Sequence, residues 1–199
     1  MPPIGDTDRL MLTAVVPMKS TEFAKSRLAP VLDAAGRRTL AQQMLDHVLA
    51  TLRDAGLGSV RVAGDNQGKG DLNADVTEAA RLVEREGASH LLLVMADLPY
   101  LSADDIAALI DAGRDNAVVI AEAKDGGTNA MLLKPPTVLE FAFATHRPSA
   151  TFHAESARRA GIEPLILRRP GLARDIDTPA DLAALVADHP AYQVFRHVA

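Results

Sequence analysis

Residues 89–97, "SHLLLVMAD", carry an unbroken apolar run from Leu91 to Ala96 that ends in a carboxylate. Nothing in the run alternates, so neither face of a strand built from it could tolerate water. It is also far too short to span a bilayer. It reads as a central strand of a parallel sheet, covered on both sides by helices. Parallel strands need crossovers, and helical patterns should therefore stand between the strand-like segments.

They do. "LMLTAVVP" (10–17) reads as the first strand. Residues 36–56 place Leu40, Met44, Leu45, Val48 and Leu52 on one helical face, stopped by Gly56. "SVRVAG" (59–64) is a short strand, and 73–88 a helix with Val76, Ala79, Ala80 and Val83 on one side. Ser102 reads as the cap of a helix with acids in its first turn. Further strands are predicted at 117–123, 128–133 and 164–168, with a helix near 149–160. Residues 174–189 read as a strand running into a last helix. The alternation predicts an α/β fold: one Rossmann-like domain over 1–199, its core at about 10–189, with a mostly parallel sheet and helices on both faces. The tail, 190–199, is amphipathic enough to pack on the domain or on a partner subunit, which leaves a homodimer open.

Charge and composition narrow the partners. A net charge of −5 argues against broad binding to nucleic acid or anionic membrane, yet permits a local basic pocket for a phosphorylated small molecule. The absence of cysteine excludes disulfides, thiolate metal sites and a Cys nucleophile. The first ten residues, "MPPIGDTDRL", lack a basic start followed by an apolar core, so a cytoplasmic protein is expected.

In open α/β sheets ligands bind beyond the carboxyl ends of the strands, and the polar clusters fall there. Lys19, Lys25 and Arg27 follow strand one. Three cations there suit a triphosphate, or are solvated charges with one paired to Glu22. No G-x-x-x-x-G-K-[ST] is present, so this is not a P-loop. Asp97, at the end of the central strand, is placed to hold Mg²⁺ or to cap its own turn. Asp175 and Asp177 lie two apart on an extended segment and point the same way, so either suits a second metal ligand. Thr178-Pro179-Ala180-Asp181 matches a helix start, which makes Asp181 structural. Asp125-Gly126-Gly127 is a hairpin turn, or a close approach of backbone to ligand with Thr128 and Asn129 as donors. Ser149 opens a helix whose free amides form an anion site, with His153 one turn in, either part of that site or a structural or surface histidine.

Six motifs in order carry a resemblance: P-x-K-x-x-x-x-A-K-S-R-L (Pro17 to Leu28), Leu72-Asn73, A-D-L-P (96–99), G-G-T-N-A (126–130), S-x-x-x-H (149–153) and D-I-D-T-P-x-D-L (175–182). Over about 12–187 the chain resembles the 2-phospho-L-lactate or phosphoenolpyruvate guanylyltransferases of deazaflavin coenzyme F(420) biosynthesis. These are glycosyltransferase-A-like nucleotidyltransferases with a nucleotide-diphospho-sugar transferase-like fold. The resemblance implies that Lys19, Lys25 and Arg27 hold the phosphates of GTP, with Asn73 near the nucleoside. It implies Mg²⁺, or Mn²⁺, on Asp97 and Asp177 with Asp175, and the phosphorylated acid on Thr128, Ser149, Asn129 and His153. Lys25 and Asp97 would be the catalytic pair. Read without the resemblance, the residues suit GTP and CTP equally.

Two departures stand out. The connection "NQGKGD" before Leu72 is shorter than in the family, and "FATHRPS" (143–149) lacks the family's glycine before the acceptor serine, a change that would let His146 and Arg147 meet a group that the family's substrates lack. Two other readings fit parts of the pattern: a molybdenum-cofactor-type nucleotidyltransferase and a non-catalytic nucleotide-binding module. The first normally carries L-x-G-G-x-S-x-R-x-G after strand one, and that loop is absent here.

Overall fold

A computed structural model describes residues 12–18, 25–64, 71–143 and 146–196 of the chain. Lys19 and the shortened connection at 65–70 lie outside them. The strands are β1 (Leu12–Pro17), β2 (Val60–Ala63), β3 (His90–Val94), β4 (Val118–Glu122), β5 (Thr128–Leu133) and β6 (Leu165–Leu167). The helices are α1 (Ala34–Asp54), α2 (Leu72–Arg85), α3 (Ala103–Ala112), α4 (Ser149–Arg159) and α5 (Pro179–Asp188).

The six strands form one sheet in the order β2-β1-β3-β5-β4-β6. β1 pairs parallel with β2 and β3, and β4 parallel with β6, whereas β5 runs antiparallel to both its neighbours. The apolar run at 91–96 is thus central, but it is a parallel partner on one side only. Alternate residues supply the two faces. Ala14, Val16, Leu92, Val94 and Leu132 pack with Ala41, Leu45 and Val48 of α1 and with Ile106 and Leu109 of α3. Val15, Leu91, Leu93, Ile120 and Met131 pack with Val76, Ala80 and Val83 of α2 and with Ala154 and Ala157 of α4. Both faces are covered, so from Leu91 onward β3 has no place for a polar side chain until the strand ends.

The caps follow the sequence closely. Ser102 and Thr178 each form a capping box, with Asp105 and Asp181 respectively. α1 ends in the Schellman pattern: Leu57 N–H donates to Leu52 O at 3.1 Å and Gly56 N–H to Arg53 O at 2.8 Å, with Gly56 at φ 83°.

One expectation is corrected. Residues 174–177 are extended but belong to no strand of the sheet, because β6, at the edge, has no further partner. The described part of the tail, 190–196, packs on the domain, one of the two placements expected for it. Tyr192 and Phe195 of the short 3-10 helix Pro190–Phe195 join Leu28, Leu40, Met44, Ile176, Leu182 and Leu185 in a third apolar cluster. Among the described residues no helix is long and apolar enough to cross a membrane.

Candidate active site

The site begins where the ladder of β3 ends. Met95 N–H still donates to Asn129 O at 2.9 Å, after which the chain turns and Leu98 anchors it in the core. Asp97 is lifted out at the sheet's carboxyl edge. β5 is antiparallel, so its first residues, Thr128 and Asn129, arrive at this same edge beside the end of β3. That reversal brings the predicted acceptor residues and the predicted metal ligands to one edge.

Asp175 and Asp177 reach it from the other side. The extended segment alternates: Ile176 turns inward, 1% exposed in the third cluster, and the two carboxylates turn outward together. Asp177 N–H donates to the Asp181 carboxylate at 3.3 Å, which ties the segment to the capping box of α5. One carboxylate oxygen from each of Asp97, Asp175 and Asp177 lies within 4.8 Å of the other two.

Lys25 is the cation set among them. Its Nζ donates to Asp97 Oδ2 at 2.6 Å and to Asp177 Oδ1 at 2.9 Å, and its side chain is only 9% exposed. The backbone of Lys25 is left-handed, φ 55° and ψ 39°, at the start of the 3-10 turn Ser26–Leu28. A side chain in that conformation costs on the order of 1 kcal/mol. Leu28, fully buried, and the two carboxylates hold it there. Burial alone would depress the Lys25 ammonium, but the charges of Asp97 and Asp177 outweigh it and its pKa is raised. Arg27 faces outward, its guanidinium 3.3 Å from Asp177 Oδ2 and three-quarters exposed.

Asp175 makes no ion pair among the described residues. Its burial, and then the charges of Asp97 and Asp177, push its carboxyl up to about 6. The donor set is all carboxylate oxygen and carries more negative charge than Lys25 offsets. This is the chemistry that a hard divalent cation such as Mg²⁺ or Mn²⁺ satisfies.

On the acceptor side Thr128, Asn129, Ser149 and His153 are all buried. Asp125-Gly126-Gly127 is the turn of the β4–β5 hairpin, and Gly126, at φ 84°, lets it lie against Pro148, where an added Cβ would sit 3.1 Å from that ring. Ala150 N–H donates to Gly126 O at 3.2 Å, fixing the start of α4 beside the hairpin. α4 has no side-chain cap. The Ser149 hydroxyl has no hydrogen bond from the described residues.

Three predicted ligand contacts are engaged elsewhere. Both ring nitrogens of His153 bond within the protein, Nε2 accepting from Ala142 N–H at 3.1 Å and Nδ1 lying 2.9 Å from Thr128 Oγ1. Asn73 Oδ1 accepts from Phe143 N at 2.6 Å and its Nδ2 donates to Phe143 O at 3.5 Å, so this amide clamps the 141–143 segment. Asn129 Nδ2 donates to Leu172 O at 2.9 Å, holding the turn that leads to Asp175. His146 is exposed and Arg147 pairs with Glu155 at 2.7 Å. The sequence did not single out the backbone of Ala142 and Phe143. Only the alternation in "FAF", which marks an extended segment, hinted at it.

A mostly parallel α/β sheet with these clusters at its carboxyl edge places them where open α/β folds bind their ligands. Two solved structures share its fold. One is described as a nucleotide-diphospho-sugar transferase from Desulfovibrio desulfuricans, with TM-score 0.75 and 19% identity over 94% of each chain. The other is a 4-diphosphocytidyl-2C-methyl-D-erythritol synthase from Anaerococcus prevotii, with TM-score 0.59 and 13% identity over 92% of this chain and 98% of that one. The chain belongs to the family described as "Guanylyl transferase CofC like", whose model matches residues 12–193. It is 40% identical to a phosphoenolpyruvate guanylyltransferase of Rubrobacter xylanophilus, over 87% of this chain and 93% of that protein. It is 31% identical to a 2-phospho-L-lactate guanylyltransferase of Methanosarcina barkeri, over 88% and 86%.

Proposed function

We propose that the protein transfers GMP from GTP to a small phosphorylated carboxylic acid, releasing pyrophosphate, as a step of deazaflavin coenzyme F(420) biosynthesis. The acceptor class comprises phosphoenolpyruvate, 2-phospho-L-lactate and 3-phosphoglycerate. The observation that carries this is the meeting of Asp97, Asp175 and Asp177 around Lys25, in a chain whose family members are named for this reaction.

Asp97, Asp175 and Asp177 would hold Mg²⁺ or Mn²⁺, which supplies charge neutralisation at the phosphates when bound. A phosphate oxygen of the acceptor attacks the α-phosphorus of GTP in line. The bond from that phosphorus to the bridging oxygen breaks and pyrophosphate leaves with the electron pair. The acceptor phosphate has its second pKa near 6, so it is already a nucleophile and no general base is required. Lys25 and Arg27, with Lys19, meet the charge that develops on the leaving oxygens. Thr128 and Ser149, with the first-turn amides of α4, take the acceptor's anionic groups. Asn73, Asn129 and His153 act by fixing the segments that carry those contacts. Catalysis is then positioning plus electrostatics.

The test is pyrophosphate release from GTP and Mg²⁺ with each of the three phospho-acids offered separately. Release with one of them, and not with CTP in place of GTP, is the expected result. Silence with all three would overturn the proposal.

A further inference from the structure

We infer that His153 is a positioning residue, held as the Nδ1–H tautomer so that the Thr128 hydroxyl presents its proton to the anionic acceptor. This deepens the proposed guanylyl transfer and rests on it for the identity of the ligand.

The inference follows from the order of two hydrogen bonds. Ala142 N–H lies 3.1 Å from His153 Nε2 and is a fixed donor, so Nε2 must accept and carries no proton. The neutral ring then has its proton on Nδ1. Nδ1 lies 2.9 Å from Thr128 Oγ1 and donates to it. One lone pair of the hydroxyl is thereby occupied and its own proton is left over. No other side-chain hydrogen bond of Thr128 exists among the described residues. With the opposite tautomer Thr128 would donate into the ring and show an anion only lone pairs, which repel it.

The surroundings keep the ring in this state. His153 is fully buried, packed against Phe141, Phe143 and Phe152. Burial among them lowers its pKa to about 4, so the neutral ring persists at neutral pH. Asn73 clamps Phe143, the residue next to the Ala142 donor, so the chain of contacts runs from α2 through 142–143 and His153 to Thr128. Ser149 lies four residues before His153 on the same face of α4, which sets its open hydroxyl on the same side as Thr128.

The test combines kinetics with a readout that needs no turnover. In the wild-type protein, ¹⁵N spectra of the His153 imidazole should show a protonated Nδ1 and a bare Nε2. A proton on Nε2, or a charged ring at neutral pH, overturns the inference whether or not the protein turns over. H153Q, which cannot place a donor at Nδ1, should raise KM for the phospho-acid about tenfold with KM for GTP unchanged. H153N, which keeps an amide at that position, should recover most of the loss. T128V should match H153Q, and T128V/H153Q should be no worse than T128V, because both remove one interaction. Equal rises in both KM values, or losses that multiply in the double variant, would show a merely structural histidine and overturn it. Should H153Q not fold, T128V against T128S decides the hydroxyl's part and the imidazole spectrum decides the tautomer. A wild-type protein silent with every phospho-acid would fail the proposed function and leave the spectrum to judge the tautomer.

Discussion

Lys25 Nζ lies 2.6 Å from Asp97 Oδ2, although 72 residues and two strands separate them in the chain. The contact joins the loop after β1 to the turn after β3, and Asp177 extends it to the segment before α5. Each partner comes from a different crossover, so only the folded sheet assembles the charge cluster. Replacing Lys25 with Met keeps the stem and removes the ammonium. Turnover should fall about a hundredfold or more. Without Mg²⁺ the melting temperature should drop by several degrees, because Asp97 and Asp177 lose their shared cation. Added Mg²⁺ should raise it more in K25M than in wild type, since the ammonium no longer competes for Asp97 and Asp177. A melting temperature insensitive to Mg²⁺ in both proteins would count against the cation site.

Asp97 and Asp175 should separate activity from stability. Asp97→Ala removes a ligand that Lys25 already shares with Asp177, so the fold should lose little while turnover falls about a thousandfold. Asp175 has no ion pair among the described residues and sits beside two other carboxylates. Asp175→Asn should therefore raise metal-free stability by roughly 1 kcal/mol while lowering activity, the pattern expected where a site is kept at a cost to the fold. Urea unfolding of both variants beside pyrophosphate release would check this. A D97A enzyme of near-wild-type rate would remove Asp97 from the reaction.

Much of this was legible in the sequence, for identifiable reasons. The apolar run at 91–96 dictated a covered central strand, and the capping residues Ser102 and Thr178 marked helix starts that the structure keeps. Asp175 and Asp177 could be paired from their spacing because extended backbone alternates whether or not it joins a sheet. What spacing does not encode is strand direction. β5 is apolar over the same length as a parallel strand would be, and only the short Asp125–Gly127 turn betrays its reversal. Nor does it reveal that an amide such as that of Asn73 or Asn129 is already bonded to backbone, since its partners, Phe143 and Leu172, lie 70 and 43 residues away.

His153 should also mark the acid limit of stability. Its folded pKa is about 4 against an ordinary 6.5, so between these values the unfolded chain binds a proton that the native ring refuses. Stability due to the neutral ring is present above about pH 6.5 and is lost as pH falls toward about 4, by roughly 3 kcal/mol in all. H153Q does not titrate there, and its stability should change less than that of wild type over the same range. Urea midpoints of both proteins at about pH 7 and about pH 4.5 would show it. Parallel pH profiles would mean that the ring is not buried neutral.

The C-terminal 3-10 helix should matter to the site although, among the described residues, it touches no predicted ligand. Tyr192, 2% exposed, packs in the cluster that also holds Leu28 and Ile176, the buried anchors of the Lys25 turn and of the Asp175–Asp177 segment. Tyr192→Ala opens a cavity under both, which should cost about 3 kcal/mol. It should also raise KM for GTP severalfold, because Lys25 and Asp177 then lose a fixed floor. Val194, on the same helix, is 69% exposed, so Val194→Ala should change neither quantity. Thermal unfolding and GTP titration of the two variants make the comparison. A Y192A enzyme that is destabilised but keeps its KM for GTP would show that the cluster stabilises the domain without setting the site, and the two anchors would then have to be held by their own segments.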